Sequence, residues 1–177
     1  MLGLLFDFTS TSTTSPSTLL HVLALVVLVH VVQVHANSYA EFPADGNLLK
    51  TAVGLYCESP NPNAFTFSSG GKDYGPIEDW RTGLVTNMTK LFFTRRECNP
   101  DISISGWDVS SVTNMAGMFS GAHLFSADLS KWDTSSVKLM GGMFAYARSF
   151  SGDISAWDTS SVTNMYGMFY LWGRTVQ

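Results

Sequence analysis

An α/β solenoid, a stack of about four 25-residue β/α repeats closed by an N-terminal capping helix, is the fold class the sequence predicts. Three observations predict it. Tryptophans recur at 80, 107, 132 and 157, so the intervals are 27, 25 and 25 residues. Met88, Met115, Met140 and Met165 keep those intervals, and so do Phe92, Phe119, Phe144 and Phe169. The text itself repeats: WDVSSVTNMAGMF from Trp107, WDTSSVKLMGGMF from Trp132 and WDTSSVTNMYGMF from Trp157, with a weaker copy, WRTGLVTNMTKLF, from Trp80.

A period near 25 falls in the leucine-rich-repeat range of about 20–29 residues. Each copy reads as a strand followed by a helix. The piece ADLSKW at 127–132 alternates, with Ala127 and Leu129 on one side and Asp128 and Ser130 on the other, as a short strand would. Trp132 then turns inward. In SVKLMGGMF, Val137, Met140, Met143 and Phe144 fall at i, i+3, i+6 and i+7, a helical stripe. Thr134, Ser135 or Ser136 caps it, and its two glycines limit it to about two turns, partly 3-10. Asp128 and Asp153 stand four residues before their tryptophans but Asp101 stands six before Trp107, which predicts a bulge there.

A single unit cannot bury both its strand face and its helix stripe, so stacked copies share one core. Residues 45–58, DGNLLKTAVGLYCE, place Leu48, Leu49, Ala52, Val53 and Tyr56 on one helical face behind an Asp45 N-cap and form the natural N-terminal cap. Residues 59–76, dense in glycine and proline, read as a loop. The fourth copy reaches Tyr170-Leu171-Trp172 with no strand piece after it. The chain is then a fragment, or that end is a partner surface. The resulting domains are 1–36, a signal peptide or signal anchor; 37–76, the cap helix and loop; and 77–177, the repeat solenoid.

Residues 19–34, LLHVLALVVLVHVVQV, are apolar but short for a span of roughly 20 residues. They fit a signal-peptide core, with Val34-His35-Ala36 as the cut and Asn37 as the new N-terminus. A signal anchor and a misplaced gene start are the alternatives, since residues 1–18 carry no Lys or Arg. The expected location is secreted or cell-surface, and membrane-bound only if 19–34 stay uncleaved. The net charge of −4 lacks a basic cluster, which argues against a nucleic-acid partner. Cys57 and Cys98 form no CxxC pair, which excludes a zinc site of the usual spacing. They form either one disulfide or two buried thiols. Cys98 occupies the repeat position of Phe125 and Phe150.

The motif WDxSSVTNMxxMF, followed by FSxD[IL]SxW, resembles the BspA-type leucine-rich-repeat surface proteins, and AVGLYCES with YGPIEDW resembles the lead-in to such arrays. The resemblance covers about residues 45–170. It implies a solenoid, export and a role in adhesion or recognition, and it implies no catalytic residues.

The candidate binding face is the strip Asp101, Ser103, Asp128, Ser130, Asp153 and Ser155, whose like charges about 4.8 Å apart would welcome a cation or basic partner; a hydrated ladder that keeps the face soluble is the plainer reading. Asp108, Asp133 and Asp158 read as turn or dipole-compensating residues. The repeat core is Trp80, Met88, Phe92, Trp107, Met115, Phe119, Trp132, Met140, Phe144, Trp157, Met165 and Phe169. Asn87-Met88-Thr89 is a glycosylation sequon. His123 is the one histidine beyond the export segment and its edge, and no catalytic motif appears, so neither an enzyme nor a cofactor or metal is expected. The expected function is an exported module that binds a protein or glycan through the strand face. The alternative is a structural surface component that associates with itself through its uncapped C-terminal end.

Overall fold

The computed structural model describes residues 39–98 and 102–171, together with His21. Contacts divide the chain into the units 1–38 and 39–177. Apart from His21, the expected signal segment, with its cleavage position, lies outside the described residues, as do Asp101 and Trp172.

The second unit opens with regular elements. Helix α1, Asn47–Glu58, buries Leu49, Ala52, Val53 and Tyr56. Its N-cap is Gly46, in the left-handed region, and Asp45 accepts from the Asn47 amide at 3.0 Å one position earlier than a cap would. The stretch read as a loop holds an antiparallel hairpin, β1 (Thr66–Ser69) with β2 (Lys72–Pro76). Gly70 and Gly71 both take positive φ at its tip, which a two-residue turn matching strand twist requires. Phe67 and Tyr74 from the hairpin pack with Phe42 and Trp80.

The predicted β/α solenoid is not what the structure holds. Among the described residues there is α1, the one hairpin and two short 3-10 turns, and all of them precede Trp80. The expected strand at 127–132 and the expected helix at 136–144 are irregular chain and turns, with one isolated bridge at Leu139, so the described residues before Trp107 hold no strand to bulge. The physical reasons are local. Asp128 Oδ1 accepts from the Ser130 amide at 2.9 Å and the Trp132 amide donates to Leu129 O at 3.2 Å. Such side-chain and turn bonds offer the backbone an alternative to a ladder. In the helix stripe, Gly142 sits at φ 63°, as do Gly117 and Gly167 in the neighbouring copies, and left-handed backbone ends a right-handed helix. Lys90 holds the same position in the first copy at φ 55°. Four residues on, Thr94, Gly121, Tyr146 and Leu171 are left-handed again.

What results is a run of turns whose alternate amides leave the copy. The amides of Met88, Lys90, Phe92 and Thr94 donate to the carbonyls of Asn114, Ala116, Met118 and Ser120 at 2.7–3.0 Å. Met115, Gly117, Phe119 and Gly121 do the same to Leu139, Gly141, Met143 and Ala145, and Met140, Gly142, Phe144 and Tyr146 to Asn164, Tyr166, Met168 and Tyr170. The intervening amides close turns within the copy, as Met143 N to Met140 O does at 3.1 Å. Single parallel bridges mark the register Asn87–Asn114–Leu139–Asn164.

Side chains repeat the same register. Phe92, Phe119, Phe144 and Phe169 stack at 5.3, 5.5 and 5.6 Å between centroids. The Trp107, Trp132 and Trp157 indoles donate to the carbonyls of Ile77, Ile104 and Leu129 at 2.9–3.1 Å. Each of those carbonyls also accepts the backbone amide of its own copy's tryptophan. The indole polar atom is thereby satisfied while the ring stays dry, as burial demands.

Candidate functional site

In the expected strip the described carboxylates each engage their own turn through one oxygen. Ser103, Asp128, Asp153 and Ser155 are exposed and Ser130 is half-buried. Asp128 and Asp153 each spend Oδ1 on the amide two residues on, at 2.9 Å. Those backbone bonds and then the serine hydroxyls hold both carboxyls below the usual range, and Asp128 opposes this weakly at Asp153. Asp108, Asp133 and Asp158 make the same local turn with Ser110, Ser135 and Ser160. No helix follows them, so there is no dipole to offset. Ser135, one of three residues expected to cap a helix, is instead a donor, its hydroxyl reaching Asp133 at 2.7 Å. A cleft of about 330 Å³ lies beside Ser103 and Asp128. No group of three or more metal-binding side chains occurs among the described residues.

Of the other sequence candidates, Cys57 and Cys98 form a disulfide. Beside it Arg95 pairs with Glu58 at 2.8 Å. Asn87 is exposed, and its Oδ1 accepts from the Thr89 amide at 3.0 Å. Trp80, Met88, Phe92, Trp107, Met115, Phe119, Trp132, Met140, Phe144 and Trp157 are buried, whereas Met165 and Phe169 are 40% and 42% exposed.

The sequence reading missed a groove on the turn-bearing side of the copies, of about 560 Å³. Its origin is a pattern of side-chain size. The residue after the repeat methionine is Thr89, Ala116, Gly141 and Tyr166 in successive copies, and the residue after the repeat phenylalanine is Phe93, Ser120, Ala145 and Tyr170. Small residues in the middle copies therefore leave a trough, walled by Tyr166 and Tyr170. Tyr166 is 90% exposed, yet its backbone is clamped: its amide donates to Asn164 Oδ1 at 2.9 Å and its carbonyl accepts from Gly142 at 2.9 Å. Tyr170 leans edge-on against Tyr146 with centroids 5.6 Å apart. A Cβ on Gly141 would come within 3.2 Å of Asn164 Oδ1, a tight contact that the Asn164 side chain would have to yield to.

One substitution shapes the groove further. Asn87, Asn114 and Asn164 each cap the amide two residues on. In the third copy the residue is Leu139, and among the described residues no acceptor meets the Gly141 amide. Leu139 and Gly141 both line the groove. The Lys138-Leu139 departure from Thr-Asn was the signal in the sequence that could have located it.

Residues 63–175 match the family described as "Mycoplasma protein of unknown function, DUF285". The chain belongs to the DUF285 family. The match takes in all four copies and the hairpin, so the groove and the amide ladder lie inside the DUF285 region. No curated protein and no solved structure matches the chain. No helix among the described residues is long and apolar enough to cross a membrane.

Proposed function

We propose that this DUF285 chain is an exported, non-enzymatic surface module that binds a protein or glycan through the groove between its third and fourth copies. The observation that carries the reading is the groove itself: an uncharged concavity of about 560 Å³, within the 300–1,000 Å³ typical of ligand sites. Its walls are fixed by backbone bonds between copies, and a site on a rigid frame loses little ordering entropy on binding. The groove takes the place of the strand face, since the described residues of the copies contain no strands. Export is supported by the apolar run at 19–34 and by the resemblance to BspA-type surface proteins.

Recovery of the full chain from the medium of an export-competent host, followed by probing of protein and glycan arrays, tests this reading. Retention inside the cell, together with silence on both arrays, would reject it. Association of the chain with itself through the exposed Met165 and Phe169 would favour the structural alternative.

A further inference from the structure

We infer that the groove's ligand is a neutral saccharide, stacked on Tyr166 and held by the Gly141 amide; this rests on the binding-module reading above. The charge of the site selects the chemistry first. The lining residues, among them Ala116, Leu139, Gly142 and Ala145, include no ionised side chain. An acidic or basic ligand would lose hydration there and gain no partner. A wholly apolar ligand would leave the Gly141 donor dry and unpaired, which is also costly. The ligand therefore combines an apolar face with uncharged hydrogen-bonding groups.

Geometry then separates a sugar from an extended peptide. A peptide adding along the copies would need a row of open backbone donors and acceptors. Across the groove floor, between the second, third and fourth copies, the row is occupied: Gly117 donates to Gly141, and Gly142 donates to Tyr166. Three lining donors meet no acceptor among the described residues: the Gly141 and Gly167 amides and the Asn164 Nδ2. Isolated donors suit the scattered hydroxyls of a sugar. The glycines at 141, 142 and 167 keep the floor level with the backbone, so a flat ring can lie close to it. Tyr166 offers an open aromatic face to the ring's C–H side and a phenol to its rim. Tyrosine is suited to this because it gives large amphipathic contact with few rotors to freeze.

The test is a calorimetric titration of the full chain with neutral oligosaccharides of two to four units: glucans, galactans and chitin fragments. The variants are Tyr166→Ala, which removes the platform, and Leu139→Asn, which copies the caps at Asn87, Asn114 and Asn164 and occupies the Gly141 amide. Asp128→Asn, away from the groove, is the control. At least one probe is expected to bind. Tyr166→Ala and Leu139→Asn should each weaken it by roughly tenfold or more, the equivalent of about one good contact, with Tm and the Asp128→Asn affinity unchanged. Absence of heat from every probe overturns the inference. If a protein ligand from the array then binds and Tyr166→Ala removes it, the module reading stands and the saccharide falls. If a saccharide binds and neither variant weakens it, the module reading stands and the groove is the wrong place.

Discussion

Residues 39–79 and the copies from Trp80 onward meet the same demand, a buried backbone with no idle polar groups, by different means. The first region uses a helix, a hairpin and covalent or ionic fastening to the first copy: the Cys57–Cys98 disulfide, Glu58 with Arg95, and Glu41 with Arg81. The copies beyond Trp107 have no ion pair and no regular element among the described residues. They rely on repetition alone. An amide that a helix would satisfy four residues away is satisfied about two dozen residues away, at the same place in the next copy. Regular secondary structure is thus dispensable where the sequence period itself delivers each partner. The cost is that a defect in one copy is felt by its neighbours.

The largest expected effect tests that dependence. Trp132 is 3% exposed, stacks on Trp157 at 6.4 Å and ties its indole to Ile104. Trp132→Ala should cost roughly 3–5 kcal/mol in denaturant unfolding, as for other large core aromatics. A cost below about 1 kcal/mol, the size of a surface substitution, would show that the copies do not share a core.

Fastening of the first region comes next. The disulfide closes a loop with a sequence separation of 41. Loop-closure entropy then gives about 4 kcal/mol for Cys57→Ser with Cys98→Ser, as an upper value. If the two regions are held as described, α1 should lose hydrogen-exchange protection before the Gly117, Phe119 and Gly142 amides do. Simultaneous loss would mean that the copies depend on the helix as much as on one another.

Backbone sign sharpens the contrast within the copies. A Cβ at Gly142 meets nothing within 4 Å, so the cost of Gly142→Ala is the left-handed φ of 63° alone, about 1–2 kcal/mol. Lys90 already bears that cost at φ 55°. Lys90→Gly should therefore stabilise the chain, though by only about 0.5 kcal/mol, because glycine frees the unfolded state and the Lys90–Phe93 contact at 5.1 Å is lost. Opposite signs for the two variants in Tm are the expected result. A destabilised Lys90→Gly would mean that the first copy does not share the turn geometry of the others.

These positions also explain what could be read in the sequence. Periodicity carries which side chains avoid water, because burial depends on their chemistry: Val137, Met140, Met143 and Phe144 are all buried. It does not carry the backbone beneath them. Spacing of three and seven residues suits a two-turn helix and a chain of turns alike, and the left-handed glycine that decides between them looks like a mere helix weakener. The local folding at the Asp/Ser strip was hidden for a related reason. Aspartate before serine reads as a charged face, but at 128 and 153 the carboxylate folds back on its own backbone. The groove was not read because it arises from the smallness of residues in the middle copies set against Tyr166 and Tyr170, and size differences at these positions mean a trough only once they are known to face solvent.

The smallest effect concerns those carboxylates. Hydrogen bonds lower the Asp128, Asp153 and Asp158 carboxyls, the Ser130, Ser155 and Ser160 amides first, and the Ser135 hydroxyl leads at Asp133. A folded-state value below the unfolded one, about 3.9, means that the stabilisation is present above that pH and is lost as pH falls through the lower folded values. Asparagine keeps the Oδ1 acceptor and removes the charge. Asp128→Asn with Asp153→Asn should therefore leave Tm nearly unchanged at neutral pH. The variant should lose stability less steeply than the parent on acidification below about pH 4, where only the parent has these carboxyls to protonate. Thermal melts across that range read both. Parallel curves would mean that the turns need an acceptor and not a charge; a large loss at neutral pH would mean that the strip's charge does more than shape its own loop.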